Sequence, residues 1–151
     1  MCVSCVTRPR EAAREFLLAK NGAARATIIV PPNATTNELR AASELAAYLE
    51  KISGAKLPIT NEVQSTSRFS IYVGNTKAFA REGITIPRTE LSGEGFVVVA
   101  NQRGLFLAGS NDQCTIFAVY DFLETLGCRF YFPGELGEVV PRQKTVRIPA
   151  L

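Results

Sequence analysis

Between Thr35 and Gly54 the apolar residues return every three or four positions: Leu39, Ala42, Leu45, Ala46, Leu49 and Ile52. That spacing lays one stripe along a helix. Glu38, Arg40, Glu44, Glu50 and Lys51 cover its other side. Thr35 and Glu38 have the spacing of a capping box, and Gly54 stands where a left-handed residue ends a helix. A second run, 111–126, carries Ile116, Phe117, Val119, Tyr120, Phe122, Leu123 and Leu126 nearly all round. Such a helix is expected to be buried on more than one side. Ser110 with Gln113 offers its capping box, and Gly127 ends it.

β-Branched and aromatic runs punctuated by Gly, Pro and Asn predict strands at 25–30, 56–60, 69–73, 129–132 and 144–148. Two apolar runs flank Asn101-Gln102-Arg103-Gly104, so 95–110 reads as a hairpin whose glycine can take a positive φ. A short helix is predicted over 76–82, with polar or irregular connections at 61–68 and 84–93. Residues 9–20, PREAAREFLLAK, are helix formers with Pro9 near the start and Asn21-Gly22 as the stop, which reads as a short helix or arm. Helices interleave with strands around a central hairpin. The pattern predicts an α/β (α+β) fold, a two-layer mixed β-sheet with two main helices packed on it. The organisation is an N-terminal arm or short helix over 1–24 and one domain over 25–151.

Composition narrows the chemistry. The 151 residues are 46% apolar and 21% charged, ordinary for a globular chain. The net charge of +3 comes from scattered Lys and Arg, which gives no nucleic-acid footprint. No apolar run approaches the roughly 20 residues that span a membrane. There is no histidine, so a Ser-His-Asp or Cys-His mechanism cannot be assembled within the chain. There is no tryptophan either, which removes a favoured stacking platform. MCVSCVTRPR does not have the form of a signal peptide.

Cys2 and Cys5 form a C-x-x-C without a second ligand pair, so no metal is called for. Cys114 and Cys128 bracket the second helix. Some 20 Å of helix would separate them, which excludes a disulfide and leaves two small buried hydrophobes. No cofactor-binding motif is present. Gly93-Glu94-Gly95 and Gly104 to Gly109 lack phosphate-loop spacing, although an anion could meet the helix start at Ser110–Asn111.

Four residues remain as possible interface or ligand contacts: Arg129, Tyr131, Glu135 and Glu138. Glu135 and Glu138 follow a Pro133-Gly134 turn, at a spacing that could reach the roughly 5–9.5 Å of a glycosidase pair. Two solvated carboxylates on a turn is the plainer reading, as it is for Asp121 and Glu124 on the second helix. Strand alternation would send Phe130 and Phe132 to one face and Tyr131 to the other, beside Arg129, where it suits an interface.

Three stretches carry a resemblance: ELRAASELAAYLEKISGAKLPI (38–59), IYVGNTKAF (71–79) and GEGFVVVANQRGLFLAGSNDQCTIFAVYDFLETLGCRFYFPGELGEVVP (93–141). Together they resemble the N-terminal domain of bacterial alpha-glucuronidases and the similar second domain of beta-N-acetylhexosaminidases. Asp112-Gln113-Cys114-Thr115 departs from the pattern by lacking a glycine before the threonine. The resemblance implies a non-catalytic accessory domain of a carbohydrate-active enzyme active in polysaccharide degradation. It also implies a downstream (β/α)8 barrel as partner, with the catalytic carboxylates there, and an extracytoplasmic location. Two other readings stand beside it. One is a free-standing carbohydrate or small-ligand module using Arg129, Tyr131 and the Ser110–Asn111 helix start. The other is an independent glycosidase using Glu135 and Glu138.

Overall fold

The computed structural model describes residues 15–62, 69–87 and 93–149. Strands β1 (Glu15–Lys20), β2 (Ala23–Ala24) and β3 (Thr27–Val30) lead into helix α1 (Thr36–Ser53). Then come β4 (Ile59–Asn61), β5 (Ser70–Val73), the short helix α2 (Lys77–Arg81), β6 (Phe96–Asn101), β7 (Gly104–Gly109) and helix α3 (Asp112–Thr125). The chain closes with β8 (Arg129–Phe130), a 3-10 turn (Glu135–Gly137), β9 (Glu138–Val139) and β10 (Val146–Pro149).

The central sheet has five strands in the order β4-β3-β5-β7-β6. The first four are parallel, and β6 is antiparallel to β7 through the hairpin. Parallel neighbours need crossover connections, and α1 supplies one between β3 and β4. Helices α1 and α3 lie together on one face, over Ile28, Val30, Ile71, Val73, Leu105 and Leu107. On the other face Tyr72 stacks on Phe106 at 4.9 Å, and Phe79 of α2 packs against them. Every residue of β7 is buried, as expected of a strand covered on both faces. The two-layer mixed α/β expectation therefore holds.

α1 forms where the pattern places it. Glu38 N–H donates to Thr35 Oγ1 at 3.2 Å, and Thr35 N–H donates to Glu38 Oε2 at 3.0 Å. Gly54 closes the helix at φ 78°, its N–H bonded to Glu50 O. Four assignments along the helix change. Leu39 is 47% exposed, whereas Ala41 and Tyr48 join the buried face. Glu38, placed by its charge on the solvent side, is buried, and its Oε1 also accepts from Asn75 N–H at 3.0 Å. A carboxylate with backbone donors on both oxygens can be buried where a bare one could not.

The structure overturns the N-terminal helix over its described part. Glu15–Lys20 is a strand, paired antiparallel with β10 from Glu15↔Pro149 to Ala19↔Val146. Asn21 and Gly22, at φ 53° and 78°, make a tight turn into β2 instead of stopping a helix. Tertiary pairing has overridden helix propensity there, and β1 and β2 lie inside the fold. Residues 9–14, Cys2 and Cys5 fall outside the described residues.

Around the hairpin, the turn is Gln102-Arg103, held by Arg103 N–H donating to Asn101 Oδ1 at 2.8 Å. Gly104 does not take a positive φ. It is small because a Cβ there would lie 2.6 Å from Ser70 O on the neighbouring strand. The cap of α3 is Asn111 and not Ser110: Asn111 Oδ1 accepts from Cys114 N–H at 2.8 Å. Ser110 instead accepts from Gly95 N–H. α3 buries one face only, through Cys114, Thr115, Ala118, Val119, Phe122 and Leu123. Phe117 is half exposed, and Asp121 and Glu124 are exposed. Cys114 and Cys128 are free and buried.

Candidate functional site

The sequence-predicted site residues all fall after α3, where the chain leaves the helical layer. Arg129 turns back on the helix, and its Nη1 donates to the carbonyls of Glu124 and Cys128 at 2.9 and 2.6 Å. A cation at a helix C-terminus satisfies orphan carbonyls and meets the negative end of the dipole. Arg129 is therefore a cap first. The predicted strand over 129–132 stops at Phe130, before Pro133, which has no N–H to extend a ladder. Among the described residues β8 pairs only with β9, through Arg129↔Val139 and Phe130↔Glu138. The intervening loop is closed by Tyr131 N–H to Gly137 O at 2.8 Å.

Because the strand stops, Tyr131 and Phe132 do not alternate between faces. Tyr131 is 72% exposed and Phe132 58%. Leu136 is 94% exposed and Val139 52%. Four large apolar side chains thus stand in water on nine consecutive residues. Phe130 turns inward and meets Tyr48 and Tyr120 edge-on, at ring centroid distances of 5.3 and 4.9 Å. An open groove of about 440 Å³ is floored by these three rings and walled by Tyr131, Phe132 and Pro133.

Glu138 is engaged by two side chains of α1. Its Oε2 accepts from Tyr48 Oη at 2.5 Å, and its Oε1 pairs with Lys51 Nζ at 2.7 Å. Lys51 Nζ also lies 4.7 Å from the Tyr48 ring centre. Hydrogen bonds from Lys51 and then Tyr48 hold the Glu138 carboxyl below its ordinary range. Burial and the same carboxylate push the Tyr48 phenol well up. Burial, then Glu44, raises Tyr120, and burial, then Glu138, raises the Cys128 thiol. A glycosidic general acid needs a raised carboxyl, and Glu138 moves the other way. Glu135 is exposed on the 3-10 turn. It borders a second, solvent-open groove of about 780 Å³ together with Glu138, Lys51, Ser53, Arg142 and Lys144.

A group with a lowered folded-state pKa contributes stability above its unfolded value and loses it as pH falls through the folded one. Glu138→Gln is accordingly expected to cost about 1–2 kcal/mol at pH 7, a figure discounted because Lys51 is half exposed. The gap between the thermal midpoints of the two proteins should close below pH 4.5. A gap that stays constant from pH 7 to pH 3 would show that the ionic bond contributes nothing.

The other candidate places are less open to ligand. At the start of α3, Cys114 N–H is spent on Asn111 and Gly109 N–H on Thr115 Oγ1. Asp112 adds a negative charge there, held by Asn37 Nδ2 at 3.2 Å. An anion is disfavoured at such a helix start. Among the described residues no cluster of metal-ligating side chains occurs, and no helix is long and apolar enough to cross a membrane. Sequence reasoning missed Tyr48 and Lys51 as partners of Glu138. The one hint was a tyrosine in a stripe otherwise made of Ala, Leu and Ile.

The fold is that of a mixed α/β domain with an exposed apolar corner after its second long helix. The chain belongs to the glycosyl hydrolase family 67 N-terminus, whose profile matches residues 17–122. Its fold is also similar to part of a family GH115 4-O-methyl-alpha-glucuronidase with specificity for decorated arabinogalactans. That likeness has a TM-score of 0.54 at 16% identity, and covers 88% of this chain and 17% of the other. At that identity it is a likeness of fold. This chain spans under a fifth of the length of that enzyme, the remainder of which consists of other parts. No curated protein sequence matches the chain.

Proposed function

We propose that this N-terminal domain is non-catalytic and serves as the accessory domain of a glycoside hydrolase, docked through residues 129–139 on the catalytic barrel of the same parent protein. The observation that carries the reading is the exposed group of Tyr131, Phe132, Leu136 and Val139. Contiguous apolar surface of this kind marks interaction sites in soluble proteins. The aromatic members have the composition of an interface core. Burial of Tyr131, Phe132 and Leu136 against a partner would remove the most exposed large apolar groups of the corner from water, at about 25 cal/mol per Å².

The test begins with the reading frame beyond Leu151, expressed together with this chain. Leu136→Asp is expected to leave the isolated 151-residue chain within about 0.5 kcal/mol of the parent sequence, because the side chain touches solvent alone. In the extended protein the same change should split one thermal transition into two and expose the junction to protease. A single unchanged transition would overturn docking through this corner.

A further inference from the structure

The turn between β1 and β2 is held from far along the chain. It is made by Asn21 and Gly22, the only Asn-Gly pair in the sequence. They take φ of 53° and 78° between the paired residues Lys20 and Ala23. A two-residue turn of this form leaves the N–H groups of its central residues without partners inside the turn. Here the segment before β10 supplies the partners. Gly22 N–H donates to Lys144 O at 2.8 Å, and Asn21 N–H donates to Thr145 Oγ1 at 3.2 Å. The Thr145 hydroxyl also reaches Asn21 Oδ1, at 3.5 Å. Gln143 N–H donates to Ile52 O at 2.8 Å and ties the same segment to the end of α1. Yet Asn21, Gln143 and Lys144 are exposed. A few hydrogen bonds at an exposed surface open far more often than the core does.

The pair carries its own chemistry. The backbone nitrogen that follows an asparagine can attack the asparagine side-chain carbonyl, and a glycine there, having no Cβ, obstructs the approach least. We propose that Asn21 is a site of self-modification, gated by release of residues 143–145 from the turn. In the closed fold the Gly22 N–H is spent on Lys144 O, so the nitrogen keeps its proton and is not free to attack. Once the segment lifts, hydroxide removes that proton. A bond forms from Gly22 N to Asn21 Cγ, the bond from Cγ to Nδ2 breaks, and ammonia leaves behind a cyclic imide. Water then opens the imide. Cleavage between Cγ and nitrogen gives aspartate, and cleavage between the backbone carbonyl carbon and nitrogen gives isoaspartate. Either product adds a negative charge to the turn. Isoaspartate also routes the backbone through the side chain and lengthens it, so the turn no longer fits the Lys20–Ala23 pairing or the bonds to Lys144 and Thr145. The modified protein holds the segment that leads into β10 less firmly than the unmodified one.

The test incubates the 151-residue chain at neutral and mildly alkaline pH. The peptide containing residues 21 and 22 is followed by mass spectrometry, where conversion replaces an NH by an oxygen. The rate in the folded chain is expected to be slower than in the same chain unfolded in urea, by roughly tenfold or more. Thr145→Val keeps the side-chain shape and removes the oxygen that holds Asn21, so it should speed conversion of the folded chain severalfold with little change in thermal midpoint. Leu45→Ala weakens the core without touching the turn and should leave the rate as it is. Equal rates in folded and unfolded chains would overturn the gating, as would an unchanged rate in Thr145→Val. Equal acceleration by Leu45→Ala and Thr145→Val would show that the site opens only by global unfolding, which overturns it too. Absence of conversion in the unfolded chain would overturn the chemistry itself.

Discussion

Replacing Gly109 by alanine is expected to destabilise the domain by about 3 kcal/mol, the upper end of what overpacking costs. Gly109 ends β7, where the strand gives way to the capped start of α3. A Cβ placed there would lie 2.4 Å from both Cys114 C and Thr115 N. Those atoms are helix backbone, so no rotamer change can relieve the clash. The only relief is for α3 to back away from the sheet. Its retreat would also break the bond from Gly109 N–H to Thr115 Oγ1 and loosen the packing of Ala118, Val119 and Phe122. For a domain of this size the midpoint should fall by roughly 6–12 °C. Urea unfolding of the two proteins checks it. A loss under about 1 kcal/mol would show that the helix start can shift without cost.

Leu45→Ala is expected to cost a similar amount, about 3 kcal/mol, for the opposite reason. Leu45 is fully buried at the centre of the α1 face, within the cluster that includes Leu49, Ile71 and Val119. Truncation leaves a cavity that helices clamped on a sheet and on each other cannot close. Leu39→Ala, on the same helix and with the same atoms removed, should fall within about 0.5 kcal/mol of zero because Leu39 is already 47% exposed. Comparable losses at the two positions, by chemical denaturation, would mean that α1 is rotated relative to the sheet.

That contrast also shows what could be read from the chain alone. Periodicity, the Thr35–Glu38 box and Gly54 locate α1, since each acts over three or four residues. The Asn101–Gly104 hairpin and α3 are local for the same reason. What the sequence could not reveal depends on partners far away along it. Glu15–Lys20 has helix formers, yet its partner is β10, more than a hundred residues downstream. Glu38 has the charge of a surface residue, yet Asn75 and Thr35 make its burial tolerable. At the candidate site, Arg129, Tyr131, Glu135 and Glu138 do cluster at one corner, as their closeness in sequence required. Their individual roles were not legible. Glu138 is defined by Tyr48 and Lys51 on α1, and Arg129 by the carbonyls at the end of α3.

The pairing of β1 with β10 also bears on connectivity. Glu15 faces Pro149 across a hydrogen-bonded antiparallel ladder, so the two ends of the described fold stand about 5 Å apart. A bridge of a few residues could join them without strain. The domain could then be opened elsewhere, for instance between Gln102 and Arg103 in the exposed turn, giving a circular permutant with the same neighbours in a different order. The architecture is held by which strands lie side by side, and the order in which the ribosome delivers them is only one of several routes to it.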